Sequence, residues 1–187
     1  MLSFWYKNFI STDYCYWFNK IFFYKVLLKK SINDLPKHNT LVKVEYSSLN
    51  YKDALSATGA PGITKSYPHT PGIDAAGIIE ESSNNSYPKG TKVIITGFDL
   101  GMNTAGGFGQ YIRVPEDWIV KCPLNLSTKE AMIIGTAGLT AGLSINALTK
   151  KKVIKNSDII VSGASGGVGC LAIKILSSLG ANVTAIS

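Results

Sequence analysis

The chain has 187 residues, 45% of them hydrophobic, and a formal charge of +7 from 19 Lys+Arg against 12 Asp+Glu. That length holds one good core or two small ones, and three cysteines with no Cys-x-x-Cys pair suggest neither a disulfide framework nor a zinc knuckle, which fits a reducing cytosol. The charge does not point to nucleic acid: Arg113 is the only arginine, lysine lacks its planar fork, and residues 1–30 hold five lysines against one aspartate, leaving only a modest excess elsewhere.

Residues 1–24 carry 11 of the 19 aromatic residues. Lys7, Asp13, Lys20 and Lys25 interrupt the apolar run well short of the roughly 20 residues that a bilayer span needs. No small-residue cleavage site follows an apolar stretch, as a secretory signal would require. Three readings stay open here: an aromatic segment on a membrane surface, an altered start, or a buried strand and hairpin.

From Leu41 the pattern becomes regular. Leu41-Val-Lys-Val-Glu-Tyr46 alternates as a half-buried strand, and Ser47-Ser-Leu-Asn-Tyr-Lys-Asp-Ala54 leads into a short helix. The stretch from Gly59 to Gly72, with three prolines and three glycines, reads as loop. Strands are predicted at Ala75 to Glu80, Thr91 to Thr96 and Gly109 to Val114, separated by turn-rich segments, so this part reads as a small, mostly antiparallel β domain. Ser127-Thr-Lys-Glu130 is a capping box that starts a helix, and a second helix is predicted from about Thr136 to Leu148. The proline of Cys122-Pro-Leu-Asn125 places a domain boundary near residue 124. The division is then 1–24, 25–124 and 125–187.

The last part is a strand, a glycine turn and a helix. Ile159-Ile160-Val161 is short and apolar, as a buried strand would be, and Gly163, Gly166, Gly167 and Gly169 follow it. Val168, Leu171, Ala172, Ile175, Leu176 and Leu179 form one helical stripe, Gly180 supplies a left-handed stop, and Asn182 to Ile186 begins a second strand. Glycines in such a turn let a pyrophosphate approach main-chain N–H groups at the positive end of the helix. The spacing is Gly-x-x-Gly-x-x-Gly, so the signal comes from its context between strand and helix.

With these parts in order, the sequence resembles the medium-chain dehydrogenase/reductase superfamily, in its zinc-free quinone oxidoreductase branch and nearest the acryloyl-CoA reductase type. The resemblance rests on Ser47 to Leu55, Pro71-Gly-Ile-Asp-Ala-Ala-Gly77, Gly135-Thr-Ala-Gly-Leu-Thr-Ala141 and Val161-Ser-Gly-Ala-Ser-Gly-Gly-Val-Gly169. It covers residues 25–187 and fails over the first 24. Ser162 to Gly169 also looks like the glycine signature of short-chain dehydrogenases, which open on it, whereas here some 160 residues precede it. The fold implied is α/β and β: a GroES-like β-rich N-terminal domain followed by the first βαβ part of a Rossmann domain, with the remainder of that domain beyond Ser187.

The resemblance implies NADPH as cofactor. The matching positions are Asn50 and Tyr51 on the nicotinamide side, Thr140 as a weaker candidate of that kind, Ser165, Gly166, Gly167 and Val168 around the pyrophosphate, and Ser187 toward the adenosine 2′-phosphate. Where zinc-dependent relatives read Gly-His-Glu, this chain reads Gly72-Ile73-Asp74; isoleucine cannot ligate zinc, and His38 and His69 are isolated in sequence from any cysteine pair. The implied reaction is therefore metal-free hydride delivery to the conjugated double bond of an enoyl thioester, or to a quinone. Tyr51, Asp53 and Asp74 are the candidate acids for orienting substrate or relaying a proton. Asp53 has a second reading as a helix cap after Asn50, and Asp74 as a partner of loop backbone. The partners implied are a small enoyl-CoA or quinone and, for a full-length chain, a second copy; no nucleic acid or membrane is implied, and the location is cytoplasmic. An inactive fragment that folds only its β domain is the alternative from a different class.

Overall fold

In the computed structural model of the chain, residues 11–13, 26–83 and 86–187 are described. The elements run in chain order as β1 (Ser11–Asp13), β2 (Val26–Leu28), β3 (Thr40–Tyr46), α1 (Tyr51–Ala57), β4 (Asp74–Ser82), β5 (Lys92–Thr96), β6 (Tyr111–Val114), β7 (Ile119–Lys121), α2 (Thr128–Thr149), β8 (Asp158–Ser162), α3 (Gly167–Ser178) and β9 (Asn182–Ile186). They fall into a larger compact unit ending at Ile133 and a smaller one, Ile134–Ser187.

The larger unit is built on a five-stranded antiparallel sheet in the order β6-β3-β4-β5-β7. Strand alternation decides its faces. Val42, Ala75, Ile79, Val93, Ile95, Ile112 and Val114 are all 0% exposed and gather with Leu100 and Ile119 in one core. Residues one step out of phase serve the opposite face, where Ala76 meets Cys122, Ala131 and Met132, with Tyr46, Ile94 and Leu126 packed against them. Register shifts between Leu41 and Val42 and between Val44 and Tyr46 mark bulges in β3. β7 has no counterpart among the predicted strands: Ile119-Val-Lys121 is too short to show a period, and its pairing with β5 is long-range.

Of the aromatic-rich stretch 1–24 only β1 is described, antiparallel to β2 through Ser11↔Leu28, Thr12↔Leu27 and Asp13↔Val26. The other expectations for that stretch lie outside the described residues.

The capping box forms as its spacing requires. The Glu130 N–H donates to the Ser127 Oγ at 3.2 Å, and the Ser127 N–H reaches back to the Glu130 Oε2 at 2.9 Å, so α2 starts there. These Ser127 hydrogen bonds hold the Glu130 carboxyl below its usual range. Gly135 then takes φ 49° and ψ −159°, which no helix contains, and divides α2 in two. The break agrees with the separate second helix predicted from Thr136. By length and composition α2 could cross a membrane, yet its Ala131 and Met132 lie in the core of the larger unit and its Ile145 in that of the smaller.

In the smaller unit β8 and β9 pair in parallel, Asp158↔Asn182 through Ser162↔Ile186. α3 packs on them through Leu176, Ile175 and Ala172, joined by Ile145, Leu148, Ile154, Ile159, Val161 and Val183. Gly180 follows the helix at φ +81°, the left-handed stop that was expected. The burial expected of the first strand is corrected. β8 alternates exposed and half-buried residues, and Ile160 is 67% exposed, because the helix covers one face of a two-stranded sheet and leaves the other open.

Candidate functional site

Two groups of chemistry-bearing residues stand out, one in each unit. The first surrounds α1. This helix has seven residues, too few to persist on propensity, and its buried face is polar: Asp53 and Ser56, one turn apart. Hydrogen bonds hold it. The Ser56 Oγ lies 2.7 Å from the Thr64 Oγ1, and the Tyr67 hydroxyl donates to the Ser56 carbonyl at 2.7 Å.

Asp53 is 1% exposed. Its Oδ2 accepts the Asn50 N–H at 2.7 Å, capping the helix, while its Oδ1 accepts the N–H groups of Gly72 at 3.1 Å and Ile73 at 2.8 Å. Burial pushes its carboxyl from 3.8 up to about 6; the hydrogen bonds from Asn50 and Ile73 oppose this, Asp74 nearby adds to it, and the Gly72 bond opposes it. The loop it braces is closed from the other side as well. Gly72 sits at φ +112°, its carbonyl accepts the Gly107 N–H at 2.8 Å, and a Cβ on it would fall 2.6 Å from the Phe108 nitrogen.

Asp74 is 0% exposed. Its Oδ2 accepts from the Ser48 hydroxyl at 2.6 Å and from the Asn50 Nδ2 at 2.9 Å, while its backbone carbonyl takes the Ser47 hydroxyl at 2.6 Å. Asn50, Asp53 and Asp74 are thus brought together, with Ser48 and Asn50 as side-chain donors to Asp74. Tyr51, at the first turn of α1, is 80% exposed. His69 is buried edge-on to the Tyr67 ring at 6.4 Å, and His38 lies 6.3 Å from the ring of Trp118.

The second group is the glycine turn. Gly163 adopts φ +65°, and the Gly166 N–H closes the turn on the Gly163 carbonyl at 3.0 Å. Gly169 lies so close beneath it that a Cβ there would run into the Gly163 carbonyl, so α3 starts pressed against the turn. Gly166 is the N-cap of the twelve-residue α3 and, having no side chain, offers no acceptor to the opening N–H groups of the helix. Gly166 and Val168 are exposed. The donor set is main-chain, uncovered by side chains and at the positive end of a helix dipole, and it fits a pyrophosphate.

Ser165 and Ser187 also meet: their Oγ atoms are 2.9 Å apart, the Ser187 end being held where the Ala164 N–H donates to the Ile186 carbonyl at 3.0 Å. Thr140 stands apart. Its hydroxyl donates to the Thr136 carbonyl one turn back along its own helix, at 2.8 Å.

Ser47 and Ser48 escaped the sequence reading as site residues. Two adjacent hydroxyls ahead of Asn50 were the available signal, but nothing in their spacing points 26 or 27 residues on to Asp74. Gly107, which would strike the Asp74 carbonyl if it carried a Cβ, escaped for the same reason.

Residues 36–124 match the alcohol dehydrogenase GroES-like domain. Over 156 residues, 83% of this chain and 47% of the relative, the sequence is 44% identical to the putative quinone oxidoreductase YhfP of Bacillus subtilis. Over 158 residues, 84% of this chain and 48% of the relative, it is 44% identical to the acrylyl-CoA reductase AcuI of Ruegeria pomeroyi. Among solved structures, the yhdH oxidoreductase of Salmonella enterica in complex with NADP is similar with a TM-score of 0.88 at 38% identity, over 95% of this chain and 54% of that one. YhdH of E. coli K-12 with bound NADPH gives 0.87 at 39% identity, over 95% and 55%. The chain spans about half the length of the curated relatives it matches.

Proposed function

The chain belongs to the medium-chain dehydrogenase/reductase superfamily, and on that premise we propose that it serves an NADPH-dependent, metal-free reductase acting on the conjugated double bond of an acryloyl-CoA-like enoyl thioester. The observation that carries this reading is the uncovered N-terminus of α3 over the Gly163–Gly169 turn, a main-chain cradle for a dinucleotide pyrophosphate. When bound, NADPH supplies the reducing hydride.

The remaining tasks fall to this chain's own residues. Gly167 and Val168 present N–H groups to the pyrophosphate, and Gly166, whose own N–H closes the turn on the Gly163 carbonyl, leaves the approach to them open. Ser165 joins them at the pyrophosphate, and Ser187, whose hydroxyl lies 2.9 Å from that of Ser165, serves the adenosine 2′-phosphate. Asn50 and Tyr51 serve the nicotinamide side, with Thr140 as a lesser member of that set. Tyr51 is the exposed acid of the group and the natural carrier of a proton to the substrate. Asp53 and Asp74 are engaged by backbone and side-chain donors, which suits holding Asn50 and the Gly72–Ile73 loop in place. The domain division is read as 25–124 for the GroES-like part and 125–187 for the start of the nucleotide domain. The enzyme is read as a cytoplasmic homodimer.

Quinone reduction is the second reading, favoured by the equal identity to YhfP. NADPH titration followed by nicotinamide fluorescence tests the binding step. Tight quenching is expected, with Gly166→Val weakening it at least about tenfold by covering the main-chain donors. Absence of binding by the wild-type chain would overturn the proposal. NADPH oxidation measured with acryloyl-CoA against a small quinone then decides between the two substrates.

A further inference from the structure

The three α-helices are not fastened alike. α2 and α3 are held by apolar side chains, Ala131, Met132 and Ile145 on the one and Leu176 on the other. Among the described residues α1 gives no side chain to either core of the larger unit: Tyr51, Lys52 and Ala54 are exposed, Leu55 and Ala57 are half-buried, and the two that are buried, Asp53 and Ser56, are polar. Hydrogen bonds take the place of packing. The Asp53 Oδ1 accepts the Gly72 N–H at 3.1 Å and the Ile73 N–H at 2.8 Å, the Ser56 Oγ lies 2.7 Å from the Thr64 Oγ1, and the Tyr67 hydroxyl donates to the Ser56 carbonyl at 2.7 Å. The central fastening is a carboxyl that is 1% exposed, bonded to main-chain N–H groups and in no ion pair among the described residues. A buried charge without a cation is costly, and a segment with few apolar contacts is the part of a fold that opens by itself. Opening α1 returns the carboxylate to water. The closed arrangement suits the neutral acid, whose carbonyl oxygen keeps two lone pairs for the two loop N–H groups.

We propose that α1 and the loop after it, residues 50–67, form a proton-controlled latch: Asp53 holds the segment shut on the Gly72–Ile73 backbone while it carries a proton, and its ionisation drives the segment to open locally with the sheet intact. The latch belongs to the larger unit alone and works whatever Asn50 and Tyr51 bind. The titratable groups on the elements around Asp53 are Asp74 at the start of β4, Tyr67 and His69 ahead of Gly72, and Tyr51 and Lys52 beside it on α1; the strip Thr104-Ala-Gly-Gly-Phe-Gly109, which closes Gly72 from the other side, has none. Burial raises the Asp53 carboxyl most, and the Asp74 charge acts in the same direction. The closed-state carboxyl titrates at about 6 and an exposed one at 3.8, so closure is favoured most below about pH 4 and loses that advantage as the pH rises through about 6.

Amide hydrogen exchange of the whole chain, followed by NMR at about pH 4 and about pH 7 with and without a low concentration of urea, tests the latch. Protection is taken relative to an unstructured chain, so the pH dependence of intrinsic exchange divides out. The reporters are the N–H groups of Thr58, Gly59 and Ala60, which bond back to α1, and of Gly72 and Ile73, which bond to Asp53. Those of Val44 and Ile79, bonded within the sheet region, report unfolding of the whole unit. In the wild type the α1 and loop groups are expected to be less protected than the sheet groups, insensitive to low urea, and to lose protection roughly 50-fold from the lower pH to the higher. Asp53→Asn, neutral at both, removes that loss and leaves His69 to titrate as before. Ser56→Ala loosens the segment without touching the carboxyl, so it lowers protection by the same factor at both pH values and keeps the loss; with the wild type it carries the test should Asp53→Asn not fold. Equal protection of α1 and sheet groups would show that the segment opens only with the whole unit and would overturn the latch. So would wild-type protection that is the same at both pH values, or a loss that persists in Asp53→Asn and therefore belongs to another group.

Discussion

The two units treat their apolar residues differently. In the larger unit nine residues of one core, from Val42 to Ile119, are at most 5% exposed, because all five strands of the sheet contribute to it. In the smaller unit the deepest core is Ile145, Ile154 and Leu176, while Ile160 and Ile186 on the strands, Val168 on the helix and Leu179 just after it stay at least 41% exposed. Similar side chains have different consequences because the antiparallel sheet five strands wide buries one phase of the alternation fully and half-covers much of the other, while the parallel pair with one helix half-buries one phase and leaves the other exposed. The larger unit accordingly concentrates its stability in packing. The smaller one places its chemistry at a turn that packing leaves open.

The sharpest way to break that comparison is to delete the same side chain in both sheets. Ile95→Ala, in the centre of the larger core, is expected to cost about 3–4 kcal/mol in urea unfolding. Ile160→Ala on the open face of β8 should change stability by less than about 0.5 kcal/mol. Equal losses would mean that the second face is covered.

Backbone positions give the next contrast. Gly72→Ala forces a side chain into φ +112° and against the Phe108 and Gly107 nitrogens, so a loss of about 2–3 kcal/mol is expected by the same measurement.

Asp53 makes the larger unit respond to pH. Its folded-state pKa of about 6 lies above its ordinary 3.8, so its favourable contribution is complete below about pH 4 and is lost as the pH rises through about 6. The stability of the wild type relative to Asp53→Asn should therefore fall by about 2–3 kcal/mol between pH 4 and 7. A constant difference would show that the carboxyl is not desolvated.

The smallest effect has the opposite sign. Gly142, in the helix of the smaller unit, has nothing within 4 Å of a Cβ built on it, and Gly142→Ala should raise stability by about 0.5–1 kcal/mol, seen as a higher melting temperature.

Much of this molecule is written in local spacing. Ser127 and Glu130 are one helical turn apart, so their reciprocal caps follow from the letters alone. The stripe from Val168 to Leu179 followed by Gly180, and the alternation of Leu41 to Tyr46, needed no knowledge of what they pack against, because the pitch of a helix and the pleat of a strand set them. The glycine turn was legible for the same reason: Gly163 and Gly169 answer to constraints set within seven residues. Tertiary structure decided the rest. Asp53 braces Gly72 and Ile73, 19 and 20 residues away, and Asp74 draws Ser48 and Asn50 to one oxygen from 26 and 24 residues away. β7 became a strand by pairing with β5, and β8 stayed half-exposed because its neighbours cover one face. Local conformation costs only nearby torsions and shows in nearby residues, whereas a buried carboxylate's partners are set by which loops the sheet order brings together, and that order has no period in the sequence.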